Sequence, residues 1–180
     1  DRGLLTRRRG VGTIVSPRHV HRPMELTSLM RDLVNAGHKV HTTIQHYEAR
    51  PATAQEADTL KITEGTLVVH IERTRFADNE PIAVLTNLIP ADIAPTMQEL
   101  ESASLYDLMR ERGVTLASAR QIIGARSATT KEAKLLSEHR GAALLTSQRT
   151  TYDPSGRIVE CGNHIYRASR YSFEASLFAQ

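Results

Sequence analysis

With 180 residues, 40% of them hydrophobic, the chain is long enough to bury one substantial core, or one domain and a fragment of a second. No apolar stretch reaches the length needed to cross a bilayer, and the arginine-rich start lacks the apolar segment of a secretion signal. These features argue against a membrane protein and favour a cytoplasmic one. The single cysteine, Cys161, excludes an internal disulfide and a cysteine-only metal site.

The net charge of +3 is divided unevenly along the chain. Six arginines against Asp1 give residues 1–23 a charge of +5, whereas residues 24–180 carry −2. A mildly acidic body has no general attraction for phosphate. Any contact with nucleic acid is therefore expected at the front of the chain.

The first predicted elements are two short strands, residues 4–6 and 13–15, around a tight turn at residues 9–12. An isolated hairpin is unstable, so this one is expected to end a larger unit that lies upstream of Asp1. Two prolines then mark residues 16–25 as a short, stiff linker.

The rest of the chain alternates between helices and strands that short turns connect. Helices are predicted at residues 26–36, 53–60, 105–112 and 131–138, and strands at residues 40–48, 67–76, 82–89, 114–125, 143–152 and 158–171. Short turns imply antiparallel pairing, whereas a doubly wound parallel sheet would need a crossover between every pair of strands. The predicted fold class is therefore α+β, one antiparallel sheet with flanking helices, over residues 26–180.

Two arginines extend an apolar strand face. Leu67, Val69 and Ile71 alternate along one side of the strand, and the same period adds Arg73 and Arg75 to it. An unpaired guanidinium inside a protein is very costly. Either the strand emerges into solvent or into an ion pair there, or both groups line a cavity that receives an anion.

A second polar face occurs in the last predicted strand. Glu160, His164, Tyr166 and Arg170 share parity, and Gly162 leaves space between them. A face this polar is unusual in a core. It is either the solvent face of an edge strand or part of a site.

Two helix starts are weaker candidates. Free backbone N–H groups at Ser28 and at Ser104, which precedes Tyr106, can hold phosphate or carboxylate, although a simple cap explains either serine equally well. The chain lacks a P-loop, a dinucleotide glycine fingerprint and a G-x-S-x-G elbow, and its eight histidines match no established zinc spacing. We therefore predict no catalytic residue, no metal and no cofactor.

Short motifs in a fixed order carry a resemblance that covers almost the whole chain. They are Gly3-Leu4-Leu5-Thr6-Arg7-Arg8-Arg9-Gly10-Val11-Gly12, Asp32-Leu33 with Ala36-Gly37-His38, Glu72-Arg73-Thr74-Arg75, Glu80-Pro81-Ile82-Ala83, Ser104-Leu105-Tyr106, Tyr152-Asp153 with Gly156-Arg157, Val159-Glu160, and Tyr166-Arg167 with Arg170-Tyr171. Residues 1–15 resemble the C-terminal wing of the winged helix-turn-helix in GntR-type bacterial transcription regulators. The remainder resembles the UTRA effector domain of their HutC subfamily.

This resemblance implies a chorismate-lyase-like domain that binds a small effector, forms a homodimer and changes the spacing of two DNA-binding heads on operator DNA. The implied effector contacts are the anion-binding arginines Arg73 and Arg75, the helix-start residue Ser28, Ser104 and Tyr106, and Glu160 and Tyr166 from the last strand. The implied wing contacts to DNA are Arg7, Arg8, Arg9, Gly10 and Gly12. The recognition helix would lie upstream of Asp1.

One departure from the family pattern concerns Leu85. Relatives that sense sugar phosphates usually carry glutamate there. If the preceding hairpin loop is residues 78–80, Leu85 lies opposite Arg73 and places an apolar side chain in the pocket wall. This substitution disfavours a polyhydroxylated sugar and suits a carboxylate with an apolar body.

Three functions remain open. The chain is expected to be the effector-binding domain of a transcription regulator, most simply a repressor. The alternatives are an enzyme that uses a lyase-like pocket on a small aromatic or acyl substrate, and a structural dimerisation module. The basic hairpin favours the regulator, because a catalyst has no use for a DNA-binding wing.

Overall fold

The computed structural model describes residues 5–8, 12–15, 20–23 and 26–175, the first three ranges by backbone alone. The strands are β1 (Leu5–Arg8), β2 (Gly12–Val15), β3 (Val20–Pro23), β4 (Val40–Pro51), β5 (Leu67–Ala77), β6 (Glu80–Pro90), β7 (Ser118–Ser127), β8 (Ala143–Tyr152), β9 (Ile158–Arg167) and β10 (Tyr171–Glu174). The helices are α1 (Leu29–Asn35), α2 (Ala54–Leu60), α3 (Met97–Ser102), α4 (Leu105–Glu111) and α5 (Thr130–Leu135). No helix among these residues is long and apolar enough to cross a membrane.

Six strands form one sheet in the order β4-β5-β6-β9-β8-β7, and every neighbouring pair is antiparallel. Helices flank this sheet. The α+β class predicted from the short turns is therefore confirmed.

The front of the chain forms two small strand pairs. β1 and β2 make the predicted hairpin, with Leu5 opposite Val15, whereas Arg9 and Gly10 of the predicted wing lie outside the described residues. Four residues of the predicted linker form β3, which pairs in parallel with β10 so that Val20 lies opposite Tyr171. The linker is thus attached to the last strand of the following domain.

The hairpin between β5 and β6 sets the position of Leu85. Its turn has only two residues, Asp78 and Asn79, both with positive φ, as a mirror-image type I turn requires. A bulge after Arg75 adds the residue that the shorter turn removes, so Leu85 lies opposite Arg73. The predicted register is correct, although the predicted three-residue loop is not.

One observed helix was not predicted, and two predicted strands differ from the observed ones. Helix α3 was not predicted, although Thr96 and Glu99 form a capping box at its start. The strand predicted at residues 114–125 begins later, at Ser118, because Val114 packs beside the core cluster of α4. The strand predicted at residues 158–171 is interrupted by a turn in which Arg170 N donates to Arg167 O at 3.0 Å.

The helices cover both faces of the sheet and leave a polar strip across the middle of each. On one face, α1 packs around Leu85 and Tyr166, while α3 and α4 pack around Val69 and Ile71. On the other face, α2 and α5 cover separate apolar clusters, the first of which contains Cys161. Burial of these clusters drives folding, and the strips between them are free for other chemistry.

Candidate functional site

A cavity lies between the starts of α1 and α4, above the middle of the sheet. It offers about 40 Å³ to molecules of water size. Its lining residues are Thr27, Ser28, Leu29, Met30, Arg73, Arg75, Leu85, Asn87, Ser104, Leu105, Tyr106, Arg149, His164 and Tyr166. Seven of the eight predicted effector contacts are among them, and the exception is Glu160.

The strand register builds the floor of this cavity. Directly opposed residues on neighbouring strands share a face, and one such row contains Arg73, Leu85 and His164. The next row contains Arg75 and Tyr166. Because β9 lies between β6 and β8, the interpretation of its polar face as the solvent face of an edge strand is wrong.

Arg73 and Arg75 are almost completely buried, with exposures of 3% and 2%. Arg73 Nη2 donates to Asn87 Oδ1 at 3.0 Å, and Arg75 Nη1 donates to Thr42 Oγ1. Within the described part of the chain, Arg73 Nε and Nη1 and Arg75 Nε have no hydrogen-bond acceptor. The two alternatives of an exposed strand end and a local ion pair are therefore wrong for both residues.

The electrostatics of the two arginines favour an anion. Burial lowers the pKa of Arg73 to about 10. Burial and the adjacent Arg73 charge lower the pKa of Arg75 to about 9. Both values lie above neutral pH, so both groups stay charged, and their poor solvation makes a bound negative charge strongly favourable.

Glu160 lies beside the cavity, on the same face of the sheet as His164 and Tyr166, and is fully buried. Its Oε1 accepts from Asn87 Nδ2 at 2.6 Å, and its Oε2 accepts from Thr151 Oγ1 at 2.8 Å and Tyr106 OH at 3.2 Å. Burial raises the pKa of this carboxyl. Glu160 therefore orients Asn87 and Tyr106, which line the cavity, and does not itself line it as the resemblance had implied.

Asn87 connects Glu160 to the arginines. Its Oδ1 accepts from Arg73, while its Nδ2 lies 3.2 Å from His164 Nε2 as well as donating to Glu160. The sequence reasoning missed Asn87. Its signal is parity, since it follows Leu85 by two residues on a strand face that is otherwise apolar from Ala83 to Ile89.

Arg149 was also missed. It reaches the cavity from β8, 6% exposed, and Nε donates to Gln121 Oε1 at 2.6 Å while Nη1 donates to Tyr106 OH at 3.4 Å. Burial and the Glu160 carboxylate raise the pKa of Tyr106 to about 12, so its hydroxyl remains a donor. A charged residue within a predicted strand is the signal that could have found Arg149.

The two predicted helix starts meet at the mouth of the cavity. Ser28 caps α1 by accepting from Arg31 N at 3.1 Å, and Ser104 caps α4 by accepting from Asp107 N at 3.4 Å. Arg31 Nη2 donates to Asp107 Oδ1 at 2.6 Å and joins the two helices. Both serines are thus caps and cavity-lining residues at once.

A second cavity, of about 300 Å³, lies on the opposite face of the sheet. Its charged residues already pair with one another. Arg126 contacts Glu132 at 2.6 Å, and Lys131 contacts Glu72 at 3.4 Å. Despite its larger volume, this cavity therefore has no charge that calls for a ligand.

The described residues contain no cluster of three or more histidine, cysteine, aspartate or glutamate side chains able to hold a metal ion. The first cavity offers guanidinium, hydroxyl and amide donors, which can bind an anion reversibly. Its apolar wall at Leu85 and Tyr166 adds a surface for hydrocarbon.

Comparisons with known proteins identify relatives of this arrangement. The model of the UTRA domain matches residues 35–172. The repressor NagR of Bacillus subtilis (strain 168), a helix-turn-helix protein, is 31% identical over 176 residues, which are 96% of this chain and 72% of the relative.

Solved structures agree with this relationship. A putative transcriptional regulator from Streptomyces coelicolor is 48% identical, with a TM-score of 0.71, and the match covers 79% of this chain and 96% of that one. PhnF from Mycobacterium smegmatis has the same fold, with a TM-score of 0.88 at 24% identity, over 99% of this chain and 80% of that one.

Proposed function

We propose that this chain, which belongs to the UTRA domain family of GntR-type transcription regulators of the HutC type, binds a small anionic effector and thereby controls DNA binding. The observation that carries this proposal is the pair of buried, incompletely hydrogen-bonded arginines in one cavity. An anion that pairs with them supplies the missing acceptors and offsets their desolvation.

The proposed anion lies between Arg73 and Arg75. The hydroxyl groups of Ser28, Ser104 and Tyr106 contact it or its neighbouring polar atoms, and Leu85 and Tyr166 contact the apolar part of the effector. Glu160 acts from beside the cavity by holding Asn87 and Tyr106. An effector larger than the present cavity requires the start of α1 to move outward, against the Arg31–Asp107 contact.

A direct structural route leads from this cavity to the front of the chain. Tyr166 stacks on Tyr171 with ring centroids 4.3 Å apart, and Phe173 contacts both rings edge-on. Tyr171 and Phe173 belong to β10, which pairs with β3. An effector that binds one position of Tyr166 more tightly than another would bias the position of β3 and of the residues before it.

The proposed assembly is a homodimer that pairs through β7. This strand ends the sheet among the described residues, nine of its ten residues are exposed, and Ile122 is 51% exposed at its centre. Antiparallel pairing about Ile122 places Arg120 opposite Gly124 of the second copy. Pairing about Ile123 would oppose Arg120 and Arg126, so charge favours the first register.

We propose that the protein acts in the cytoplasm and that its wing contacts the DNA backbone or minor groove. The wing residues are Arg7, Arg8, Arg9, Gly10 and Gly12. Such contacts give little sequence selectivity, because base edges are read mainly by a recognition helix.

An enzyme is the less favoured function. The cavity combines cationic and hydroxyl donors with an apolar wall, and the named relative NagR is a transcriptional repressor.

The test uses inorganic phosphate as the probe and thermal denaturation as the readout. Phosphate should raise the Tm of the wild-type protein in a concentration-dependent manner, because a ligand of the native state stabilises it by mass action. Arg75→Met should abolish this rise, and Arg75→Lys should retain part of it. The matched control is Arg140→Met, which removes an exposed arginine far along the chain.

An equal phosphate-dependent rise in Arg75→Met and in the wild-type protein would overturn the anion site. Native mass spectrometry of the purified protein adds an independent measurement. A retained small anion supports the sensor, and its chemical conversion during incubation would support the enzyme instead.

A further inference from the structure

Arg149 is a third guanidinium in the effector cavity, and it approaches from the side opposite to Arg73 and Arg75. The first two arginines are on β5, whereas Arg149 is on β8. Two strands, β6 and β9, separate them, so the two backbones lie roughly 14 Å apart at the usual strand spacing. The cavity therefore has a cationic group at each end.

The hydrogen-bond partners of Arg149 are neutral. Its Nε donates to the Gln121 amide and its Nη1 to the Tyr106 hydroxyl, and no salt bridge joins it to a carboxylate within residues 26–175. Glu160 is the nearby acid, but its oxygens accept from Asn87, Thr151 and Tyr106. Even when it is ionised, Glu160 offsets one of three buried positive charges.

Beside the polar floor residues Asn87 and His164, the cavity has an apolar wall. Leu85, Leu105 and Tyr166 line it and are nearly inaccessible to solvent. A single phosphate held by Arg73 and Arg75 would leave the charge of Arg149 without an ionic partner, and a sugar would place hydroxyl groups against these apolar side chains. Neither ligand both pairs with the arginines at the two ends of the cavity and contacts its apolar wall.

We propose that the effector carries two anionic groups, one bound by Arg73 and Arg75 and the other by Arg149, on an aliphatic or aromatic body that contacts Leu85 and Tyr166. This inference rests on the proposed function. The chemical class is a dicarboxylate, or a carboxylate that also carries a phosphate. Arg149 is the residue that distinguishes such a ligand from a monoanion with the same body.

The test compares acids of equal carbon number. Glutarate, adipate and suberate are titrated by calorimetry into the wild-type protein beside pentanoate, hexanoate and octanoate. At least one dicarboxylate should bind about tenfold or more tightly than its monocarboxylate, since a charge-assisted hydrogen bond in a buried site adds that much affinity. Arg149→Gln should reduce this ratio to near one, and Arg149→Lys should retain part of it.

Circular dichroism and the Tm of each variant without ligand establish that the variants are folded, and Arg140→Gln, at an exposed position outside the cavity and outside β7, is the matched control. The proposal is overturned if no dicarboxylate binds more tightly than its monocarboxylate, or if Arg149→Gln leaves the ratio unchanged. Phosphate stabilisation that depends on Arg75 would then still support the anion site. If neither the preference for dicarboxylates nor the Arg75-dependent phosphate stabilisation is observed, the proposed function itself is contradicted.

Discussion

Gly162 controls how closely Glu160 and His164 approach each other across the middle of β9. A Cβ atom at this position would lie 2.5 Å from Glu160 Oε1 and 2.6 Å from His164 Nε2. Both distances are shorter than any van der Waals contact. The absence of a side chain therefore leaves room for the carboxylate beside the cavity, where it accepts from the Asn87 amide.

Gly162→Ala should lower the free energy of unfolding by about 1–3 kcal/mol, the usual cost of overpacking a core. It should also weaken phosphate binding, because Glu160 and His164 must shift and release Asn87 beside Arg73. Chemical denaturation gives the stability. Gly124→Ala on β7 is the control, since a Cβ atom there would closely approach only one atom, the Thr146 Oγ1, at 3.0 Å. Equal stability of both variants would show that β9 tolerates the extra atom.

At the scale of single residues, the sequence predicts those site residues that follow the two-residue alternation of a strand. Alternation aligned Arg73 and Arg75 with an apolar strand face without deciding whether they are buried, and the resemblance added residues from both helix starts. Neither could reveal that Glu160 stays outside the cavity lining, because its position depends on neighbours contributed by β6, β8 and α4. The assignment of these residues to an effector stays a prediction.

At the scale of elements, β10 joins the cavity to the front of the chain. Its two aromatic residues pack on Tyr166, and its backbone pairs with β3. The sequence predicted neither the interruption before β10 nor the parallel partner. A three-residue turn of ordinary polar residues has no strong signal, and pairing between segments about 150 residues apart has none that a local pattern can carry.

Binding of phosphate should slow amide hydrogen exchange in β3 and β10 as well as in the cavity. The reason is that Tyr166 lines the cavity and stacks on Tyr171 of β10, which pairs with β3. In Phe173→Ala the protection should persist around Arg73 and disappear from β3, since the edge-on contacts to Tyr166 and Tyr171 are lost. Exchange followed by mass spectrometry measures this. Unchanged protection of β3 in the variant would exclude β10 as the route.

At the scale of the whole molecule, the fold class was predictable because hairpins with short turns allow few topologies. The sheet order was not fully predictable, since a polar strand such as β9 can lie at the edge or in the centre. Only the pairing with β6 and β8 settles its place. The family predicted from the ordered motifs is confirmed by the match over residues 35–172.

Ile122→Lys should convert the proposed dimer into a monomer, because pairing of β7 about this residue would oppose two lysines. Size-exclusion chromatography with light scattering, over a range of protein concentrations, measures the mass. Leu67→Lys is the control, since Leu67 is equally exposed but lies at the start of β5. A dimer that survives Ile122→Lys while remaining folded would place the interface elsewhere.

The burial of Cys161 has a practical consequence for observing this regulator at work. The residue is 8% exposed, and burial raises the pKa of its thiol to about 11, so at neutral pH the thiol stays protonated and shielded. Maleimide reagents should therefore not react with Cys161. A cysteine introduced at an exposed position such as Glu64 becomes the single attachment point for a fluorophore or spin label, and distances within an assembly can be followed without replacing the native cysteine.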